Sequence, residues 1–176
     1  VIFADFGIST ATSKFVAEYN TVNKENLSKV LFNSSLIIGV ISIVVSILVL
    51  LFGGIWFEEY NKYMLIILQL VFLSPLTALL DGIFRGLKGV KELAIVSLIT
   101  GAVSLGIIIF LVYEYGLVGA LWAQNLLFAV YFVVLALKYK VDIQLKVDSK
   151  VIKDIVSYSV VFGVATLGYY LFSRVN

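Results

Sequence analysis

Five long stretches of this chain carry almost no charge: 31–52, 63–84, 93–113, 117–137 and 152–172. A helix needs roughly 20 apolar residues to cross the hydrocarbon core of a bilayer, so each stretch is long enough to do so. Asp81 interrupts the second, and Lys153 with Asp154 sit in the first turn of the last. The whole chain is 61% hydrophobic and 14% charged, where soluble domains run nearer a quarter charged. A soluble fold of 176 residues could not bury that much apolar surface. A bilayer can, because lipid tails take the place of water around it. The expected fold class is therefore all-α, a polytopic transmembrane helical bundle of five full helices plus one partial N-terminal helix. That partial helix is assigned to about 1–19, where Ala4, Ile8, Ala11 and Phe15 recur at helical spacing. The chain begins with Val and reads as part of a longer protein.

The basic residues alternate by connection. Lys14, Lys24 and Lys29 flank the first, Arg85, Lys88 and Lys91 fall in the third, and Lys138, Lys140, Lys146, Lys150 and Lys153 in the fifth. The second has only Lys62, beside Glu58 and Glu59, and the fourth has none. The positive-inside rule then places loops 20–30, 85–92 and 138–153 in the cytoplasm of a multi-pass plasma-membrane protein. Trp56, Tyr60, Tyr63, Tyr113 and Tyr115 gather at the opposite boundary, as aromatic belts do. The lysine-rich fifth connection is expected to lie against anionic membrane lipid.

Small residues four apart (Gly7/Ala11, Gly82/Gly86, Ala102/Gly106, Gly116/Ala120, Gly119/Ala123) allow helix backbones to approach closely. The short link 113–116 predicts an antiparallel hairpin. Pro75, the single proline, should disturb its helix by removing a backbone hydrogen bond, with Ser74 and Thr77 placed to satisfy the freed carbonyl. Residues 1–140 are expected to form one bundle, 141–151 a cytoplasmic connector, and 152–176 the first helix of a second bundle.

Polar groups in hydrocarbon are costly unless paired or hydrated. At a rise of about 1.5 Å per residue, Asp5 lies roughly 21 Å above the cytoplasmic end of its helix. Gln69 lies roughly 9 Å, and Gln124 and Asn125 roughly 11 Å, below the outer ends of theirs. All four fall in the outer half at similar depth, where they either line one hydrated cavity or lock the helices together. Asp81 and Arg85 are one helical turn apart and can pair, as a boundary salt bridge or a gate. Arg85 at the inner mouth and Arg174 at the outer end are candidate anion contacts, since the guanidinium fork suits phosphate. Lys14 shares a stripe with Gly7, Thr10 and Ala11, and either snorkels to the headgroups or faces the same cavity.

The chain has no cysteine and no histidine, which excludes disulfides, thiol nucleophiles, Cys/His zinc sites and imidazole acid–base chemistry. No catalytic constellation, cofactor, metal or nucleic-acid partner is expected.

Four stretches together resemble one family. Residues 5–20, DFGISTATSKFVAEYN, resemble the D-x-G-x-x-x-A-x-x-x-F-V-A-E run in the second helix of polysaccharide-biosynthesis flippases. LLDGIFRGLKGVKELAIVSLI (79–99) resembles the end of their fourth helix and the opening of the fifth. YGLVGALWAQNLLFAVYFVVLALKYK (115–140) resembles the G-L-x-G-A opening of the sixth, and DIVSYSVVFGVATLGYYLFSRVN (154–176) the start of the seventh. The family often has proline in that last opening; here it reads Tyr158-Ser159-Val160-Val161.

These proteins belong to the multidrug/oligosaccharidyl-lipid/polysaccharide exporter superfamily. The resemblance implies most of an N-terminal six-helix bundle, with the second bundle of the same protein absent from this sequence. It implies a transporter, not an enzyme, that flips lipid-linked oligosaccharide or polysaccharide repeat units by alternating access, with polysaccharide assembly proteins as further partners. On that basis Arg85 and Lys14 are expected to meet the headgroup phosphate, and Asp5, Gln69, Gln124 and Asn125 to wall the cavity. A cation-coupled multidrug or toxin exporter of the same superfamily, using Asp5, stays open. A membrane-embedded polymerase or glycosyltransferase and a structural subunit are further alternatives.

Overall fold

The computed structural model describes residues 5–22, 24–56, 62–138 and 145–175, and regular structure among them is helical throughout. Five helices follow in order: α1 (Ile8–Val22), α2 (Lys24–Trp56), α3 (Met64–Gly86), α4 (Val90–Lys138) and α5 (Ser149–Val175). Three of them, over Glu25–Gly53, Met64–Gly86 and Val90–Lys138, are long and apolar enough to cross a membrane.

α4 is not one rod. Gly116 leaves helical geometry with φ 57° and ψ −131°. On a straight helix Ser97 and Tyr131 would lie roughly 50 Å apart, yet their hydroxyls are 3.1 Å apart. The chain therefore reverses at Gly116, and residues 90–115 pack antiparallel against 117–138. This is the hairpin that the short link 113–116 predicts. Glycine suits the turn because a side chain there would be strained, although a Cβ would meet only open space.

The N-terminal segment differs from the continuous helix expected over 1–19. Phe6 and Gly7 have positive φ (42° and 81°), and α1 starts only at Ile8. Apolar periodicity runs straight through this point and conceals the break. α2 begins one to two turns before the expected residue 31, because 24–30 is amphipathic. Leu27 and Val30 are buried in the core, while Glu25 and Lys29, one turn apart, form a 2.9 Å ion pair at the surface. α5 starts at Ser149, where Asp148 accepts the backbone N–H groups of Lys150 (3.0 Å) and Val151 (3.3 Å). Of the connector, residues 141–144 lie outside the described residues, as do Glu58, Glu59, Tyr60 and Lys140 and the side chain of Trp56.

α3 is the hub, in contact with α1, α2 and α4, while α5 lies on α1 and α2. The core joins Ala11 and Val16 of α1, Leu31 and Ile38 of α2, Leu79 and Ile83 of α3, and Ile155 of α5. A second cluster joins Phe84 to Leu93, Val96, Tyr131 and Leu135 across the α3–hairpin seam. Of the small-residue pairs, Gly82/Gly86 makes a close crossing between α1 and α3. A Cβ at Gly82 would collide with the Ser9 carbonyl, and one at Gly86 would lie 2.6 Å from the Ser13 carbonyl. Gly119 abuts the Leu111 backbone inside the hairpin, whereas Gly106 faces open space.

Pro75 lies buried within α3. The carbonyl it deprives of a helical donor is that of Val71. Neither expected substitute takes it: Thr77 Oγ1 donates to the Ser74 carbonyl (2.7 Å), and Ser74 Oγ has no partner. Val71 is beyond the reach of Thr77, six residues on, while Ser74, three on, leaves its hydroxyl unpaired.

Candidate functional site

The polar groups of this bundle form separate clusters on different helix seams. The most connected lies between the last turns of α3 and the hairpin. Tyr131 donates its hydroxyl to Asp81 Oδ1 at 2.7 Å. A phenol has one proton, so the 3.1 Å contact with Ser97 makes Ser97 the donor to Tyr131. The chain Ser97–Tyr131–Asp81 thus ties both halves of α4 to α3. The one-turn spacing predicts that Arg85 can pair with the Asp81 carboxylate, and in the structure it does not. Its Nε donates instead to the Asp81 backbone carbonyl at 3.2 Å. Tyr131 holds the carboxylate on the hairpin side, and the guanidinium stays exposed with no carboxylate partner among the described residues.

Lys14 is exposed on α1, with Nζ 4.4 Å from the centre of the Tyr158 ring of α5 and 4.9 Å from that of Phe15. The two rings meet edge to face at 6.2 Å. Aromatic faces attract an ammonium without neutralising it. Lys14 and Arg85 are thus two cations that keep their charge available to an anion.

Asp5 caps α1 across the Phe6–Gly7 turn. Its Oδ1 accepts the Ser9 N–H (3.0 Å) and its Oδ2 the Ser9 hydroxyl (2.7 Å). Gly7 occupies the turn between them, where an added Cβ would lie 3.1 Å from the Ser159 carbonyl of α5. The D-x-G spacing therefore has a local structural meaning, a cap and a turn set against α5.

Asn125 is buried and donates from Nδ2 to the carbonyls of Ile66 (3.0 Å) and Leu121 (3.2 Å), clasping the hairpin to α3. Its Oδ1 is buried without a partner. Gln124 beside it is half-buried. Gln69 is exposed in a cleft shared with Ser46 of α2 and with Leu65 and Phe72 of its own helix. Gln69 and Asn125 thus occupy different seams of α3, one towards α2 and one towards the hairpin, and Asp5 a third between α1 and α5. The structure does not gather the four onto one wall within this chain. The Arg174 side chain lies outside the described residues.

A further buried amide pins the bundle elsewhere. Asn33, fully buried in α2, donates to the carbonyls of Lys29 (2.7 Å) and Lys146 (3.1 Å), and its Oδ1 accepts the Asp148 N–H (3.1 Å). It fastens the segment before α5 to the N-terminal part of α2. The signal was an amide opening a charge-free run, but its partners lie 113 and 115 positions away.

A search of curated proteins and a search of solved structures each returned no match. A family model described as "Polysaccharide biosynthesis protein" matches residues 1–176, the whole chain. With three helices long and apolar enough to span a bilayer, that match marks a membrane protein. The chain belongs to the polysaccharide biosynthesis protein family.

Proposed function

We propose that this chain is part of a flippase that carries lipid-linked oligosaccharide or polysaccharide repeat units across the cytoplasmic membrane by alternating access. The observation that carries the reading is the family match over the full length of a helical chain with membrane-spanning character. The alternation of basic residues and the reversal at Gly116 support a reading of five crossings with loops 20–30, 85–92 and 138–153 in the cytoplasm.

Such a cargo is a bulky sugar on an anionic phosphate. Arg85, whose guanidinium has no carboxylate partner among the described residues, and Lys14, set against the Phe15 and Tyr158 rings, are the groups to meet that phosphate. Asp81 serves the gate, with Tyr131 in place of Arg85 as the partner of its carboxylate and Ser97 behind Tyr131. Gln69, Gln124 and the free Oδ1 of Asn125 offer hydrogen bonds to sugar hydroxyls at different stages of the cycle, and Asp5 sets the α1–α5 seam they open beside. Arg174 is assigned to the outer anion contact.

The test is flipping of a lipid-linked saccharide by the full-length protein in proteoliposomes. A charge-assisted hydrogen bond is worth about 1.5–3 kcal/mol, so Arg85→Ala and Lys14→Ala should each weaken transport roughly ten- to hundredfold. Wild-type flipping in both variants removes the phosphate assignment. Export of cationic drugs dependent on Asp5, with lipid-linked saccharide left untouched, replaces the reading with a cation-coupled exporter.

A further inference from the structure

A groove of about 250 Å³ runs along the α4 hairpin between its two halves. Ile95, Ile99 and Val103 form one wall, and Leu126, Val130 and Val134 the other. These side chains are open to the outside: Ile99 is 59% and Val130 46% exposed. The lining offers no free donor along its length. Thr100 gives its hydroxyl to the Val96 carbonyl (2.6 Å), and Ser104 to the Gly101 carbonyl (2.8 Å). A sugar or other polar guest would leave its own hydrogen bonds unmade there. The groove accepts a hydrocarbon.

One end is different. Lys138 closes the groove at the cytoplasmic boundary and has no ion pair among the described residues. The Ser97–Tyr131 contact sets the register of the hairpin and brings Lys91 to the same end, but Lys91 is not part of the lining, and Lys138 is the basic group on the groove itself. Glu92 lies beside Gly89 and is not part of the lining. From Ile95 to Ile107 the groove runs roughly 18 Å, close to half of the ~30 Å hydrocarbon core, which is one leaflet.

We propose that this groove holds an acyl chain of an anionic glycerophospholipid of the cytoplasmic leaflet, with the lipid phosphate on Lys138. The apolar walls supply contact to any acyl chain, and the lysine supplies the preference for negative charge. The assignment rests on the hairpin crossing the membrane with Lys138 inside, and it is independent of the cargo. One basic group near an anionic headgroup corresponds to roughly fivefold selectivity.

The experiment places the full-length protein in nanodiscs with phosphatidylglycerol or phosphatidylcholine, each bearing a photoactivatable diazirine on one acyl chain, and maps labelled peptides by mass spectrometry. The expected result is labelling across 95–107 and 123–134, roughly fivefold stronger with phosphatidylglycerol. Lys138→Gln should bring the two probes level, and Val130→Trp should suppress both. Labelling near Leu48 and Leu51, exposed apolar residues of α2, should stay constant in every variant and reports that the bundle is folded. Equal labelling by both lipids in the unaltered protein overturns the proposal. So does a preference that survives Lys138→Gln, or an unlabelled groove beside a normally labelled α2, which would mean another helix of the protein fills it.

Discussion

Single side chains account for how this bundle is pinned, and their partners explain what could be read in advance. Asp81 and Arg85 are legible as a pair because four residues place them on one helix face. The sequence holds no sign that Tyr131, 50 positions on, takes the carboxylate first. Asn33 was unreadable as a fastener for the same reason. Asn33→Ala removes bonds to Lys29, Lys146 and Asp148 and leaves a cavity where the buried amide sat. The expected loss is about 1–3 kcal/mol, read as a lower unfolding midpoint in detergent. Tyr131→Phe deletes one hydroxyl and so both contacts, with Asp81 and with Ser97. A loss of similar size is expected, and Asp81→Asn in the same background should recover part of it, because a neutral amide tolerates the missing donor better than a carboxylate does.

At the level of helices, five apolar runs were visible because each exceeds the bilayer's demand, and the hairpin because its link is too short for anything else. The break before α1 was hidden, since Ala4, Ile8, Ala11 and Phe15 keep helical spacing across Phe6 and Gly7. Among the small-residue pairs the pattern could not tell a packed face from an open one. Gly82 meets the Ser9 backbone and Gly106 meets nothing within 4 Å. Gly82→Ala should therefore force α1 and α3 apart, at a cost of about 1–3 kcal/mol. Gly106→Ala should be neutral or stabilising by up to about 1 kcal/mol, since it adds helix propensity without a clash. Equal effects in a paired unfolding measurement would contradict the α1–α3 crossing. Gly116→Ala isolates backbone strain, because its φ of 57° is unfavourable to a side chain while the space around it is empty. A penalty of about 1–3 kcal/mol is expected there without any loss of packing contacts.

The whole molecule keeps an apolar core and is apolar on its outside as well. Only 6% of the most apolar window of α4 is buried, and large residues such as Leu51, Ile109, Phe110 and Phe172 stand exposed around the perimeter. Polar seams and close glycine contacts lie inside. That arrangement is stable in lipid and not in water, so the protein should stay monodisperse only in detergent or bilayer. Which seam opens to a cargo was not legible from depth alone. Rise per residue gives the height of Gln69 and Asn125 but not the direction each faces, and they face different neighbours. Every functional assignment depends on the direction in which the helices are threaded. Residues 1–176 contain no cysteine, so single cysteines can be introduced here without background from this segment. The decisive measurement is labelling of Lys88→Cys, Glu114→Cys and Lys150→Cys in intact cells by a membrane-impermeant maleimide. Labelling of position 114 alone, with 88 and 150 reacting only after the cells are opened, is the expected result. Outside labelling at 88 or 150 would contradict it.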